Sequence, residues 1–224
     1  WGRPTIINNT ETLASVPSIM RNGAEWFVDL GVNGCGGVKL FCVSGHVNNP
    51  GNFELPMGTP FSELIERAGG VRDGNQLKAV IPGGSSMPVM PAKGIEDAIM
   101  DFDSLQKLGS GLGSAGLIVM DETTCMVKML HRIIRFYYHE SCGQCTPCRE
   151  GSGWLYRILD RIVNGQGQAD DIDLLESVSG QIEGHTICAF GEATAWPVQS
   201  FLKHFRDEFS YYIEHGRSIT KEGR

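Results

Sequence analysis

Cys142-Gly143-Gln144-Cys145-Thr146-Pro147-Cys148 is the stretch that decides how the second half of this chain folds. Apolar residues recur at helical spacing on both sides of it. Met126, Met129, Leu130, Ile133, Ile134 and Tyr137 precede it, and Trp154, Leu155, Ile158, Leu159 and Ile162 follow. The three thiols therefore sit on a short link between two amphipathic helices. Gly143 lets the backbone curl, and Thr146-Pro147 restarts a helix. Thiolates spaced three apart can meet different corners of one iron–sulfur cubane, the tight spacing of ferredoxin-type clusters. Zinc sites instead pair two Cys-x-x-Cys units, which leaves a middle cysteine without a role.

A cubane needs a fourth thiolate. Asn164-Gly165 stops the second helix, and Ile172, Leu175, Val178 and Ile182 mark a third. Phe201, Leu202, Phe205, Phe209 and Tyr212 mark a fourth, with Pro197 placed in its first turn. Four short-linked amphipathic helices pack as a bundle. Cys188, between the third and fourth, returns to the end of that bundle where the triplet lies. The expected ligands of one [4Fe–4S] cluster are thus Cys142, Cys145, Cys148 and Cys188, with zinc or inert buried thiols as the alternatives. Cys35, Cys42 and Cys125 read as small core or loop residues. His139 and His185 are candidates for hydrogen bonds behind the ligands, or are structural histidines. Arg149 and Lys128 either balance cluster charge or face solvent.

The first half has a different rhythm. Leu13, Val16, Ile19 and Met20 have helical spacing, and Pro17 places the helix start near itself. Gly31–Gly37 is a loop. Val38–Ser44 and Phe53–Leu55 read as strands around an Asn48–Asn52 turn, and Leu77–Ile81 and Leu117–Met120 as two more. Thr59-Pro60 reads as an N-cap and first residue of a helix through Phe61, Leu64, Ile65 and Ala68, stopped by Gly69-Gly70. Strands enclosing one helix make a small α+β unit. Gly111-Leu-Gly113-Ser-Ala-Gly116 has a dinucleotide spacing, but its glycines lead into a strand rather than out of one into a helix, so it reads as a connection. Pro82–Ser86 reads as a turn.

The net charge of −7 argues against nucleic acid and anionic membrane surfaces as partners. No apolar run approaches the roughly 20 residues that span a bilayer. Seven cysteines, an odd number with three crowded together, suit a reducing compartment and a metal site better than a disulfide framework. The opening at Trp1, without an initiator methionine, reads either as the result of removal of a segment or as a piece of a longer protein.

Several stretches together resemble a known family. They are His139-Glu-Ser-Cys142-Gly-Gln-Cys145-Thr-Pro-Cys148-Arg-Glu-Gly151, Gly184-His-Thr-Ile-Cys188-Ala, Trp196-Pro-Val-Gln199, Met100-Asp-Phe-Asp103, Leu117–Asp121, Phe41–His46 and Asn48–Gly51. They are similar to the flavoprotein component (NADH-binding, FMN and iron–sulfur; the F subunit) of respiratory complex I, the NADH:quinone oxidoreductases. The resemblance implies an α+β chain: a β-grasp, soluble-ligand-binding domain at 38–121, then a four-helix bundle [4Fe–4S] domain at 122–224. It makes residues 1–37 the tail of an FMN-binding domain with a connecting helix, in which Asn8, Asn9 and Thr12 contact FMN.

The glycine-rich FMN and NADH region of the family lies upstream of anything present here, so the chain is expected to be the C-terminal part of that flavoprotein. The whole protein would take a hydride from NADH onto FMN and pass electrons singly through the cluster toward quinone. Implied partners are other peripheral-arm subunits, especially a [2Fe–2S] subunit and a large iron–sulfur subunit. The implied location is peripheral, on the inner face of the bacterial inner membrane or the mitochondrial matrix side. Two alternatives stand beside this: the same module in an NAD-linked hydrogenase or formate dehydrogenase, and a non-enzymatic, zinc-stabilised interaction module.

Overall fold

The computed structural model describes residues 2–220; Trp1, which opens the Asn-rich motif, and residues 221–224, which close the expected helical domain, lie outside the described residues. The first helix, α1 (Thr10–Asn22), starts earlier than its proline suggests. Asn9 caps it, its side-chain oxygen accepting the Thr12 N–H at 3.1 Å. Pro17 lies inside, and because Leu13 is exposed, the carbonyl that the proline leaves without a partner can meet water. A short α2 (Ala24–Asp29) follows, and neither helix has a buried residue.

Next come strands β1 (Val38–Gly45) and β2 (Gly51–Pro56) and helix α3 (Phe61–Arg67). The Thr59 hydroxyl donates to the Pro56 carbonyl at 2.8 Å, so Pro60 and not Thr59 holds the cap position of α3. The chain continues through β3 (Leu77–Ile81), β4 (Met90–Pro91), α4 (Ala92–Ile95), α5 (Phe102–Lys107) and β5 (Gly116–Asp121). All four strands legible in the sequence are present. The two-residue β4 and the four- and six-residue helices α4 and α5 are too short for a period to show. One mixed sheet results, in the order β2-β1-β5-β3-β4, with β1 and β5 parallel and the other pairs antiparallel. Gly111–Gly116 connects α5 to β5 as expected, with no helix after it.

Four longer helices follow: α6 (Met126–Glu140), α7 (Thr146–Val163), α8 (Asp171–Ile182) and α9 (Phe190–His215). Their apolar faces agree with the sequence pattern, with two departures. Trp154 is 52% exposed, because the buried face of α7 runs through Gly151, Ser152, Leu155, Ile158, Leu159 and Ile162. Pro197 sits inside α9, not in its first turn, since the helix begins at Phe190. Ala193, Ala195 and Val198 carry its apolar face back toward that start, and Phe205 (φ −133°, ψ 24°) breaks the regular helix further on.

Strands β3 and β5 pack against a core on each face of the sheet. Along β5, Leu117 and Val119 join the core shared with Phe41, Phe61, Leu64 and Leu105, while Ile118 and Met120 point to the core of the four long helices. In β3, Val80 faces the first core and Ala79 and Ile81 the second. Polar contacts cross the same boundary: Val89 N–H donates to Ser200 Oγ at 3.0 Å in a buried setting, and Lys78 pairs with Glu208 at 2.6 Å.

Candidate metal centre

The link between α6 and α7 is shaped by three residues besides its cysteines. Ser141 ends α6, and its hydroxyl accepts the Gly143 N–H at 3.4 Å and lies 3.3 Å from Cys148 Sγ. Gly143 turns the chain at φ +76°, in the left-handed region that favours glycine. Arg149 folds back over the turn, donating to the Gly143 carbonyl at 3.0 Å and the Gln144 carbonyl at 3.5 Å. The triplet therefore has three distinct supports. Cys142 lies in the loop, Cys145 at the N-cap of α7 and Cys148 within its first turn. The partial positive charge of that helix N-terminus favours thiolates at this point.

Cys188 arrives from the loop between α8 and α9. All four cysteines line one cavity of about 180 Å³, together with Ser141, Thr186, Phe190 and Gly191. Cys148 is buried, Cys145 half-buried, and Cys142 and Cys188 are exposed. Burial pushes the Cys148 thiol up, the Ser141 hydroxyl opposes this, and Cys145, Cys142 and Cys188 push it up further. A sulfur whose ionisation the other three disfavour belongs to a donor set that suits a strongly positive centre. Among the described residues, no three His, Cys, Asp or Glu side chains group about a single metal ion. Four thiols set around a cavity instead fit a multi-iron cluster with one thiolate for each corner.

Cys35, Cys42 and Cys125 lie away from this cavity, on the Gly31–Gly37 loop, on β1 and at the N-cap of α6. His139 is exposed and bonded to Glu140, and His185 to the Glu183 carbonyl; neither bonds to a cysteine among the described residues. Asn8, Asn9 and Thr12 cluster at the exposed start of α1, where Asn9 is used as its cap.

The supports of Cys188 do not show in the sequence pattern. Glu183 leaves α8 as its C-cap, and its carboxylate accepts the Trp196 indole N–H at 2.7 Å and a Gln199 amide hydrogen at 2.8 Å. Those bonds, Gln199 first and Trp196 second, hold the Glu183 carboxyl below its ordinary value. Gly184 N–H donates to Glu192 at 3.1 Å, and the Thr186 hydroxyl to the Cys188 carbonyl at 2.9 Å. The available signal is the three-residue spacing of Trp196 and Gln199, which puts two donors on one helix face just beyond a loop that opens with an acid.

Comparison with known proteins agrees with this geometry. Residues 128–212 match the NADH-ubiquinone oxidoreductase-F iron-sulfur binding region, and residues 40–90 match the SLBB domain. The NADH-quinone oxidoreductase F subunit of Rickettsia bellii (strain OSU 85-389) is 54% identical over 216 residues, 96% of this chain and 52% of that protein. The corresponding F 1 subunit of Rhizobium meliloti (strain 1021) is 52% identical over 226 residues, 100% of this chain and 52% of the relative. A crystal structure of NAD+-reducing [NiFe]-hydrogenase in the H2-reduced state superposes with a TM-score of 0.84 at 32% identity, covering 95% of this chain and 36% of the other. The chain thus spans about half the length of the curated relatives it matches. With a matched iron–sulfur binding region and more than half of its residues identical along nearly its whole length, it belongs to the family of NADH-quinone oxidoreductase F subunits.

Proposed function

We propose that this chain is the cluster-holding part of the electron-input subunit of an NADH:quinone oxidoreductase. Cys142, Cys145, Cys148 and Cys188 would each supply one thiolate to a [4Fe–4S] cluster, whose chemistry when bound is one-electron storage and release. The chain's own contribution is structural and electrostatic. Ser141 is placed to hydrogen-bond the Cys148 sulfur, Phe190 helps to limit water, and the α7 N-terminus offsets negative charge. NADH as hydride donor and FMN as the group that splits the electron pair belong to the whole protein. Asn8, Asn9 and Thr12, at the start of α1, would lie against FMN.

In this reading residues 1–37 are the tail of the flavin domain, 38–121 a β-grasp domain and 122–224 a four-helix bundle. The strand order and the SLBB match support the second of these, and the helix contacts the third. The partners would be a [2Fe–2S] subunit and a large iron–sulfur subunit, on the inner face of the membrane; no described helix is long and apolar enough to cross it. The likeness to the hydrogenase favours a second reading, the same module feeding or draining a hydrogenase, but that relative is the less identical one.

The observation that carries the proposal is the meeting of all four cysteines at one cavity within the matched iron–sulfur region. Anaerobic reconstitution with iron and sulfide tests it. About four irons per chain and a reduced-state EPR signal lost in Cys188→Ser support it. A single zinc with no signal would leave the interaction module standing instead.

A further inference from the structure

We propose that Glu183 is a positioning residue for Cys188, acting as a clasp that closes the ligand loop onto α9. The inference rests on the reading of Cys188 as the fourth ligand. The other three cysteines need no such device. One is in a helix, one caps it, and Arg149 and Ser141 pin the turn that bears the third. Cys188 has neither a helix under it nor burial around it, and Ile187 beside it is 77% exposed. A loop of this kind keeps a side chain in place only if its ends are fixed.

Both ends are fixed to the same helix. At the far end the chain enters α9 directly after Ala189. At the near end, Glu183 reaches across to Trp196 and Gln199, further along α9, and the Gly184 N–H adds the bond to Glu192. The Glu183 carboxylate thus joins the start of the loop to the helix that receives its end, and uses both oxygens to do so. A carboxylate holding two neutral donors makes stronger hydrogen bonds than an amide would. Glu183 bonds to no cysteine among the described residues, so its influence on the cluster runs through the path of the loop.

The reconstituted chain exposed to ferricyanide tests this. Ferricyanide removes one electron from the [4Fe–4S]2+ state, the oxidised cluster sheds one iron as Fe2+, and a [3Fe–4S]+ remainder gives its own EPR signal. Glu183→Ala is expected to speed that conversion roughly 10-fold, the lower end of what lost support behind a ligand costs. Trp196→Phe, which keeps an aromatic ring and removes one donor, should give a smaller increase, and Glu183→Gln, which keeps one acceptor oxygen, should fall between wild type and Glu183→Ala.

Glu176→Ala is the control, because Glu176 also ties α8 to α9, through Arg206, but away from the loop. It should leave the rate unchanged. Wild-type rates in both Glu183→Ala and Trp196→Phe would overturn the clasp, as would an equal acceleration by Glu176→Ala. Failure of the wild-type chain to take up four irons would instead overturn the ligand assignment, and the clasp with it.

Discussion

His46 Nδ1 lies 2.7 Å from Oδ1 of Asp121, a carboxylate with no solvent exposure at the end of β5. Burial alone would raise the Asp121 pKa, but hydrogen bonds from Thr123, Asn75 and His46 outweigh it and hold the value at about 2. The group is therefore easier to ionise in the folded chain than in the unfolded one. Its contribution is present above the unfolded value near 4 and is lost as pH falls toward 2. That contribution is about 2 kcal/mol. Urea unfolding of the cluster-free chain at stepped pH should show this acid-side loss in wild type and not in Asp121→Asn. Parallel curves for the two would refute it.

At Gly191, helix stability and cluster retention should move in opposite directions. A Cβ there would stand 2.2 Å from Thr186 Oγ1 and 2.6 Å from its Cγ2. Alanine is the better helix former by about 1 kcal/mol, yet here it would displace Thr186 and, through it, the Cys188 loop. Gly191→Ala should release iron to a chelator several-fold faster, roughly the 10-fold typical of a disturbed ligand support. Adding Thr186→Ala should recover part of the loss, since it removes the two nearest atoms and leaves the Thr186 Cβ at 2.9 Å. No recovery in the double variant would count against this contact as the cause.

Arg149 offers a smaller effect. Its guanidinium is partly exposed and pairs with Glu150, but it also donates to two carbonyls of the cysteine turn. Net hydrogen-bond energies of about 1 kcal/mol imply that Arg149→Ala speeds iron loss by a factor of about five. Arg149→Lys should not restore it, because the planar guanidinium serves the two carbonyls from Nη1 and Glu150 from Nε at once, and a lysine has one nitrogen for all three. Rescue by lysine would mean that charge alone matters.

Adjacent residues of α7 should differ sharply in what they cost. Leu155 is fully buried in the helical core and Trp154 is half exposed. Leu155→Ala should destabilise by about 2–5 kcal/mol and Trp154→Ala by about 1 kcal/mol or less, measured as urea midpoints at constant slope. Equal losses would show that the tryptophan packs more tightly than its exposure indicates.

What a sequence can disclose depends on length and on period. The four long helices each repeat an apolar face several times, so their register is legible to within a turn. The start of α9 is not, because Pro197 reads as a boundary although seven helical residues precede it, and Pro17 hides the start of α1 in the same way. For Pro17, tolerance depends on whether the Leu13 carbonyl meets water, which packing decides and the local sequence does not show. The meeting of the four cysteines is legible because helix lengths return Cys188 to the triplet. The supports behind it are not. The bonds from Trp196 and Gln199 to Glu183 depend on how the end of α8 meets α9, and that from Thr186 to the Cys188 carbonyl on the path of an irregular loop, neither of which a periodicity encodes.

The two-faced sheet bears on how the chain could be divided. With Val80, Leu117 and Val119 committed to one side and Ala79, Ile81, Ile118 and Met120 to the other, the strands β3 and β5 form a shared wall. A cut in the short segment between Asp121 and Met126 would leave each piece with a raw apolar face of matching shape. Such pieces, made as separate polypeptides, should behave less like two modules than like the halves of a split reporter: poorly soluble apart, and reassembling when mixed.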